Sequence, residues 1–197
     1  MDGEATALTV LPEDCCLAFG MAAQAVLSLL GPPEEVFDGP RGGAHELLGA
    51  THRHCVHNYF SRGLDIVFEA FEHTVIGFVL HTNFAGQQDF GVYNRCCFEV
   101  CVGELGAEPE PEPELGGGKL FVESSREEFV SVLGVPVRGT AAEPAAVLRL
   151  AAGVAEDPLG TIEVDCWPAC GLVVETATGA GGAGGAVTTL TCVRPTL

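Results

Sequence analysis

The sequence predicts an α+β fold of two similar lobes, each with a helix packed on an antiparallel sheet. Apolar residues recur at helical spacing in two short segments, and each segment ends in Leu-Gly-x-Pro. Segments typical of strands follow each stop. Because helix, stop and hairpin occur twice, we predict an internal duplication of a helix–hairpin unit.

The first predicted helix lies within 19–37. Met21, Ala25 and Leu29, together with Val26 and Leu30, recur at helical spacing, and Gly31 with two prolines ends the helix. The second lies within 123–136. Ser125 stands three residues before Glu128, which is the spacing of a capping box.

Four segments are predicted as strands. In the first of them, Leu64, Ile66 and Phe68 share one face, with Asp65 and Glu69 on the other face and Val67 between them, as in a sheet covered on one side. The chain after each predicted helix therefore folds back as a hairpin. The predicted strands are 63–70, 74–82, 171–178 and 186–193.

The chain divides into a first lobe at 1–102, a spacer at 103–118 and a second lobe at 119–197. The spacer, GELGAEPEPEPELGGG, alternates Glu with Pro and ends in three glycines. Repelling charges and prolines favour an extended, solvated segment.

A net charge of −18 makes direct binding to nucleic acid or to anionic lipid unfavourable. The N-terminus lacks the basic region of a secretion signal, and the apolar run at 15–30 is too short and polar to cross a bilayer. We therefore expect a cytoplasmic protein with reduced thiols.

Three motifs resemble a dinucleotide-binding, a zinc-binding and a redox motif, but each has a simpler structural interpretation. GAGGAG at 179–184 precedes a β-branched segment and not a helix, so we interpret it as a hairpin loop. THRHCVH at 51–57 places its His and Cys residues on both faces of a strand, which cannot close a zinc shell alone. CWPAC at 166–170 has three residues between its cysteines, unlike a redox motif.

The segment at 77–100, GFVLHTNFAGQQDFGVYNRCCFEV, concentrates hydrogen-bonding side chains near one predicted turn. No spacing selects a nucleophile with a base, so we predict no enzyme activity and no cofactor. Two hypotheses remain: a hydrogen-bonded corner joining the lobes, or a partner-binding surface. The candidate partner-binding residues are His81, Asn83, Tyr93 and Arg95.

Residues 58–100 resemble the phagosome assembly factor family, formerly an uncharacterised protein family. Asn58, Gly63, Asp65, His81 and Tyr93 are among the residues that carry this resemblance. Weaker similarity extends from about residue 17 to about residue 195. The family's members are about twice as long as this chain, which resembles their C-terminal half.

The resemblance implies a non-enzymatic adaptor in autophagy or vesicle traffic, located in the cytoplasm and at the phagophore assembly site. It also implies a β-propeller partner that reads phosphoinositides, so that the chain reaches the membrane only through that partner. Two alternatives stay open: a metal- or thiol-dependent protein that uses the His/Cys-rich segments, and a small-molecule carrier with a groove between helix and sheet.

Overall fold

The computed structural model describes residues 6–11, 16–38, 54–83, 85, 90–104, 118–121, 123–138, 162–167, 171–177 and 186–193. These residues form strands and two short helices. The first half contains β1 Thr6–Leu11, β2 Leu17–Ala18, α1 Ala23–Leu30, β3 Glu35–Asp38, β4 His54–Tyr59, β5 Leu64–Glu69 and β6 Val75–His81. The second half contains β7 Glu99–Glu104, β8 Gly118–Phe121, α2 Arg126–Leu133, β9 Val137–Arg138, β10 Ile162–Trp167, β11 Leu172–Ala177 and β12 Ala186–Val193.

The strands form two antiparallel sheets, and both halves contribute to each of them. One sheet has eight strands in the order β3-β4-β5-β6-β12-β11-β10-β9, and the other has four in the order β2-β1-β7-β8. The halves meet where β6 pairs with β12 and where β1 pairs with β7. The α+β class is confirmed, but the described strands form shared sheets instead of one sheet per lobe. Pairing β6 with β12 satisfies backbone groups that separate lobes would leave at open edges.

The two helices end alike and begin differently. Gly31 and Gly134 follow α1 and α2 with φ of 80° and 81°, a conformation that favours glycine. At the start of α2, Ser125 Oγ accepts a hydrogen bond from the Glu128 N–H, and a Glu128 carboxylate oxygen accepts one from the Ser125 N–H. The predicted capping box is therefore confirmed.

A single buried cluster joins the helices to both sheets. Val26 and Leu30 of α1 lie in it together with Phe129 of α2, whereas Leu29, which was also predicted in the apolar stripe of the first helix, is 48% exposed. The sheet residues of this cluster include Leu17, Leu64, Ile66, Phe68, Phe78, Leu80, Val100, Leu120, Leu172, Val174 and Leu190.

The β4–β5 and β10–β11 hairpins have the same framework. Tyr59 pairs with Leu64 and Trp167 pairs with Leu172 across loops of equal length. Each loop ends in a glycine with positive φ, 65° at Gly63 and 66° at Gly171.

Each of these hairpins also holds a helix end. The Tyr59 hydroxyl donates to the carbonyl oxygen of Gly31 at 3.2 Å, and Trp167 Nε1 donates to that of Gly134 at 2.9 Å. An aromatic side chain at the end of β4 or β10 thus satisfies a carbonyl that a helix leaves open.

Three sequence-based expectations are modified or fall outside the described residues. β7 and β8 enter the predicted spacer from both sides, as far as Glu104 and Gly118, and residues 105–117 lie outside the description. Residues 51–53 of the THRHCVH motif and residues 168–170 of the CWPAC motif lie outside the described residues. The GAGGAG loop at 179–184 also lies outside the described residues.

Candidate functional site

Four polar side chains meet beside the β4–β5 hairpin and form what we call the corner cluster: Asn58, Asp65, His81 and Tyr93. Asn58 and Asp65 are directly opposite each other in the β4–β5 pairing. His81 is the last residue of β6, beside β5, and Tyr93 lies in the segment that follows. Strand register therefore brings together residues that are far apart in the sequence.

Asp65 is the centre of the corner cluster. Asn58 Nδ2 donates to Asp65 Oδ1 at 2.6 Å, and the Tyr93 hydroxyl lies 2.9 Å from both carboxylate oxygens. His81 Nε2 lies 3.0 Å from Oδ2, a distance at which an N–H donates to a carboxylate. Hydrogen bonds to a charged acceptor are the stronger kind, so the carboxylate holds the cluster together.

The corner cluster is closed to solvent and tightly packed. The His81 and Tyr93 rings stack with centroids 3.7 Å apart and planes inclined by 11°. Asn58 Nδ2 also donates to the Tyr93 hydroxyl at 3.1 Å. Asn58 Oδ1 is buried without a donor among the described residues, which costs free energy and is uncommon in a folded protein.

Gly63 allows the segment after Tyr93 to approach the hairpin. A Cβ at this position would lie 2.2 Å from the Asn94 carbonyl oxygen and 2.6 Å from the Cys96 nitrogen. The Gly63 carbonyl accepts from the His81 N–H, and the His81 carbonyl accepts from the Cys96 N–H, both at 2.8 Å. Only glycine permits this contact of three backbone segments.

Further bonds hold the loop on both sides of Tyr93. The Asn94 N–H donates to the Phe60 carbonyl at 2.8 Å, and Asn94 Nδ2 donates to the Ser61 carbonyl at 3.0 Å. On the other side, Asn83 Oδ1 accepts from the Gly91 N–H at 2.8 Å. The loop is therefore fixed at several points to the hairpin and to the end of β6.

The four predicted site residues divide into two pairs. His81 and Tyr93 are buried at 9% and 3% exposure, so their side chains belong to the corner cluster. Asn83 is half-buried, with a φ of 54° that asparagine tolerates better than most residues. Arg95 is exposed and forms an ion pair with Glu123 at 2.9 Å.

Sequence reasoning did not select Asn58 and Asp65 as site residues, although it noted both in the family resemblance. Their signal is a polar residue on each side of a hairpin loop, seven positions apart in the chain. It also did not select Phe90 and Val92, which are 54% and 53% exposed beside buried Tyr93. Large apolar side chains exposed together are a feature of interaction sites.

Two ion pairs formed by arginine residues differ in burial. Arg126 of α2 binds Asp165 of β10 through Nε at 2.5 Å and Nη2 at 3.2 Å, and Asp165 is 1% exposed. Both side chains of the Arg95–Glu123 pair are more than half exposed. Solvent and salt weaken the second pair, so it contributes little to stability.

The cysteines and histidines of the motifs are dispersed. Burial raises the pKa of the Cys96 thiol to about 12, which leaves almost no thiolate to act as a nucleophile at neutral pH. The neighbouring Cys97 is exposed. His57 packs on Phe68 with ring centroids 4.5 Å apart. Within the described ranges, no group of three or more His, Cys, Asp or Glu side chains could hold a metal ion.

The fold and this site define a class: an α+β protein whose shared sheets support a buried polar corner and an exposed loop. The family model described as phagosome assembly factor 1 matches residues 5–175, which is most of the chain. The chain belongs to the phagosome assembly factor 1 family.

Relatives from three organisms are similar over shorter segments. A PHAF1 protein of Arabidopsis thaliana is 38% identical over 78 residues, and one of Caenorhabditis elegans is 39% identical over 88. A third, from Drosophila melanogaster, is 31% identical over 90 residues. These segments cover 40%, 42% and 42% of this chain but 18%, 21% and 20% of the relatives' own lengths. No solved structure matches the chain.

The two helices of the described residues are each eight residues long. Neither α1 nor α2 has the length and the continuous apolar sequence that are needed to cross a membrane.

Proposed function

We propose that this chain is a non-enzymatic adaptor that acts in autophagy or vesicle traffic by binding another protein. Membership of the phagosome assembly factor 1 family is the observation that carries this proposal. The matched segments span about a fifth of each curated relative, so the role of the whole protein is part of the proposal.

The geometry of the corner cluster supports a binding role without catalysis. The hydrogen-bonding groups of Asp65, His81 and Tyr93 are directed at one another in a buried corner. Cys96, which follows closely in the sequence, has a pKa of about 12. A general base or nucleophile must reach a substrate, and these side chains are used inside the protein.

The proposed docking face consists of Asn83, Phe90, Val92 and Arg95. In this proposal, exposed Phe90 and Val92 supply apolar area, and Asn83 and Arg95 supply polar groups. An apolar centre with a polar border is the usual organisation of a protein–protein interface. His81 and Tyr93 support this face from inside.

The partner that we propose is a β-propeller protein that reads phosphoinositides. The family resemblance motivates this partner, and the net charge of −18 supports the indirect route to a membrane. Anionic lipid repels an acidic chain, whereas a partner with basic residues around an apolar pocket attracts it. The proposed location is the cytoplasm and the phagophore assembly site.

We also propose that the chain arose by internal duplication of a helix–hairpin unit. The order strand, strand, helix and four strands occurs in each half, and the shared sheets place corresponding strands symmetrically about the β6–β12 and β1–β7 pairs. The matching hairpin loops and helix ends support this origin.

The test of the adaptor proposal is a binding titration between the purified chain and a purified phosphoinositide-reading β-propeller protein. A docking variant carries Phe90→Ser, Val92→Ser and Arg95→Ala. A control variant carries Phe71→Ser and Val135→Ser, which remove exposed apolar side chains elsewhere. Sedimentation with phosphoinositide vesicles is measured with and without the propeller protein.

We expect the docking variant to bind at least about tenfold more weakly and the control variant to bind like wild type. The chain should sediment with vesicles only when the propeller protein is present. Absence of binding by wild type would refute the proposed partner. Equal binding by both variants would place the interface outside the docking face.

A further inference from the structure

Among the described residues, the two hairpins share a framework but differ in the pair of side chains that stands one position from the loop. Asn58 pairs with Asp65 one position from the loop in β4–β5, and Cys166 pairs with Val173 at the same place in β10–β11. Leu64 pairs with Leu80, and Leu172 pairs with Cys192. Val193 therefore follows at the register position that His81 has in the first half.

The second hairpin shows that this framework forms without an amide and a carboxylate at these two positions. Cys166 and Val173 are each 1% exposed, so a thiol and an apolar side chain fill the places of Asn58 and Asp65. In the first half, burial of Asp65 requires several partners and still leaves Asn58 Oδ1 without a donor in the described part of the chain. Buried polar networks of this kind are often no more stabilising than apolar packing. The framework alone does not explain the corner cluster.

The corner cluster does one thing that apolar packing cannot do equally well: it fixes the Tyr93 hydroxyl in one place. Phe90 and Val92 lie immediately before Tyr93 in the chain, and Arg95 lies two residues after it. The neighbouring Gly91, Asn94 and Cys96 amides are bonded to Asn83, Phe60 and His81. A directional anchor at Tyr93 therefore sets the geometry of the docking face.

We infer that Asn58, Asp65, His81 and Tyr93 are positioning residues that hold the docking face in its binding conformation and are not needed for folding. This inference rests on the proposed function. Holding a loop in its bound geometry lowers the conformational entropy that is lost on association, and so strengthens binding without a new contact.

The test converts the first corner into the residues of the second. The concerted variant carries Asn58→Cys, Asp65→Val and His81→Val, with Tyr93→Phe to remove the remaining hydroxyl. A second variant carries Tyr93→Phe alone. Hydrogen exchange is measured at the Gly91, Asn94 and Cys96 amides, with Val174 of β11 as an internal control, and melting temperature is measured on the same samples.

We expect the concerted variant to fold with a melting temperature within about 5 °C of wild type. Its Gly91, Asn94 and Cys96 amides should exchange about tenfold faster, while Val174 is unchanged. Tyr93→Phe should accelerate the same amides to a smaller extent. A purely structural role would instead lower the melting temperature and accelerate all amides together.

Two results would overturn the inference. If the concerted variant does not fold, the corner cluster is a requirement of the fold. If it folds and the loop amides remain as protected as in wild type, the corner cluster does not position the loop. Binding of the propeller protein to the same samples separates the two proposals. If wild type does not bind, the proposed partner fails while the exchange result still decides whether the cluster positions the loop.

Discussion

The β4–β5 and β10–β11 hairpins have loops of the same length, a glycine of the same φ at the same place and an aromatic side chain on a helix end. They differ in the buried pair beside the loop, which is Asn58 with Asp65 in one and Cys166 with Val173 in the other. The backbone framework is therefore independent of side-chain polarity at this position. What the polar residues add is a directional connection to a loop.

The difference also shows how each half places a buried acid. Asp65 is bonded to neutral side chains and a histidine within the first half, whereas Asp165 is bonded to Arg126 of α2. The first arrangement connects a hairpin to a loop, and the second connects a sheet to a helix. A buried carboxylate needs such partners because an unpaired one is strongly destabilising.

The largest expected effect is a loss of stability when Asp65 and Val173, which occupy equivalent positions in the two hairpins, are each replaced by the other residue. Asp65→Val leaves the donors of Asn58, His81 and Tyr93 without their acceptor, and should lower the free energy of unfolding by about 3–5 kcal/mol. Val173→Asp buries a carboxylate without partners and should be similarly harmful. Urea unfolding of both variants measures this, and a loss below about 1 kcal/mol for Asp65→Val would contradict our account of the corner cluster.

The second prediction compares two costs of replacing a glycine: a steric clash of the added Cβ with a neighbouring backbone, and a positive φ that other residues tolerate poorly. Gly63→Ala introduces a Cβ at 2.2 Å from the Asn94 carbonyl and should cost about 3 kcal/mol or more. Gly31→Ala is the control, because Gly31 has φ of 80° but no atom within 4 Å of the added Cβ, and should cost about 1 kcal/mol. Thermal unfolding measures both changes, and equal losses would show that the close approach is unimportant.

A smaller effect concerns the aromatic side chains on the helix ends. Tyr59→Phe removes the hydrogen bond to Gly31 and should lower stability by about 1 kcal/mol at neutral pH.

The pH dependence of this effect differs between the halves. Burial, together with repulsion from Glu34, raises the pKa of Tyr59 above its usual value of 10.0. The unfolded tyrosine therefore loses its proton first, so the stabilisation is complete below about pH 10 and decreases as pH rises toward the folded pKa. The equivalent Trp167 does not ionise. Denaturant titrations between neutral and alkaline pH should show a shallower decline for Tyr59→Phe than for wild type, and equal declines would contradict the assignment.

The last prediction concerns the reactivity of two adjacent thiols and involves no change in stability. At pH 8, iodoacetamide should modify exposed Cys97, while Cys96, with a pKa of about 12, and buried Cys166 should react only after unfolding. Tandem mass spectrometry of the peptide containing Cys96 and Cys97 identifies the modified residue. Rapid labelling of Cys96 in the folded protein would show that its environment is more open than we describe.

Local signals in the sequence were sufficient for the helices and for several strands. The capping box of α2 was predictable because Ser125 and Glu128 lie within one turn of each other. The strand β5 was predictable because Leu64, Ile66 and Phe68 alternate with other residues. Short strands such as β2 and β9, with two residues each, carry too little pattern to be recognised.

The corner cluster was only partly predictable, because its members interact over long distances in the chain. Asp65 lies 7 residues from Asn58, 16 from His81 and 28 from Tyr93. The sequence indicated that the region around His81 and Tyr93 is rich in hydrogen-bonding groups, but exposure could not be read from it. Two side chains expected at a partner surface are buried, and the apolar Phe90 and Val92 are exposed instead.

The sequence by itself determined the α+β class, the helix ends at Gly31 and Gly134, the acidic charge and the family resemblance, because each depends on neighbouring residues or on composition. Only the tertiary structure decided that β6 pairs with β12, so that the halves share their sheets, and that Asp65 is the centre of the corner. Strand pairing and burial are set by contacts between distant segments, and register alone decides which side chains meet.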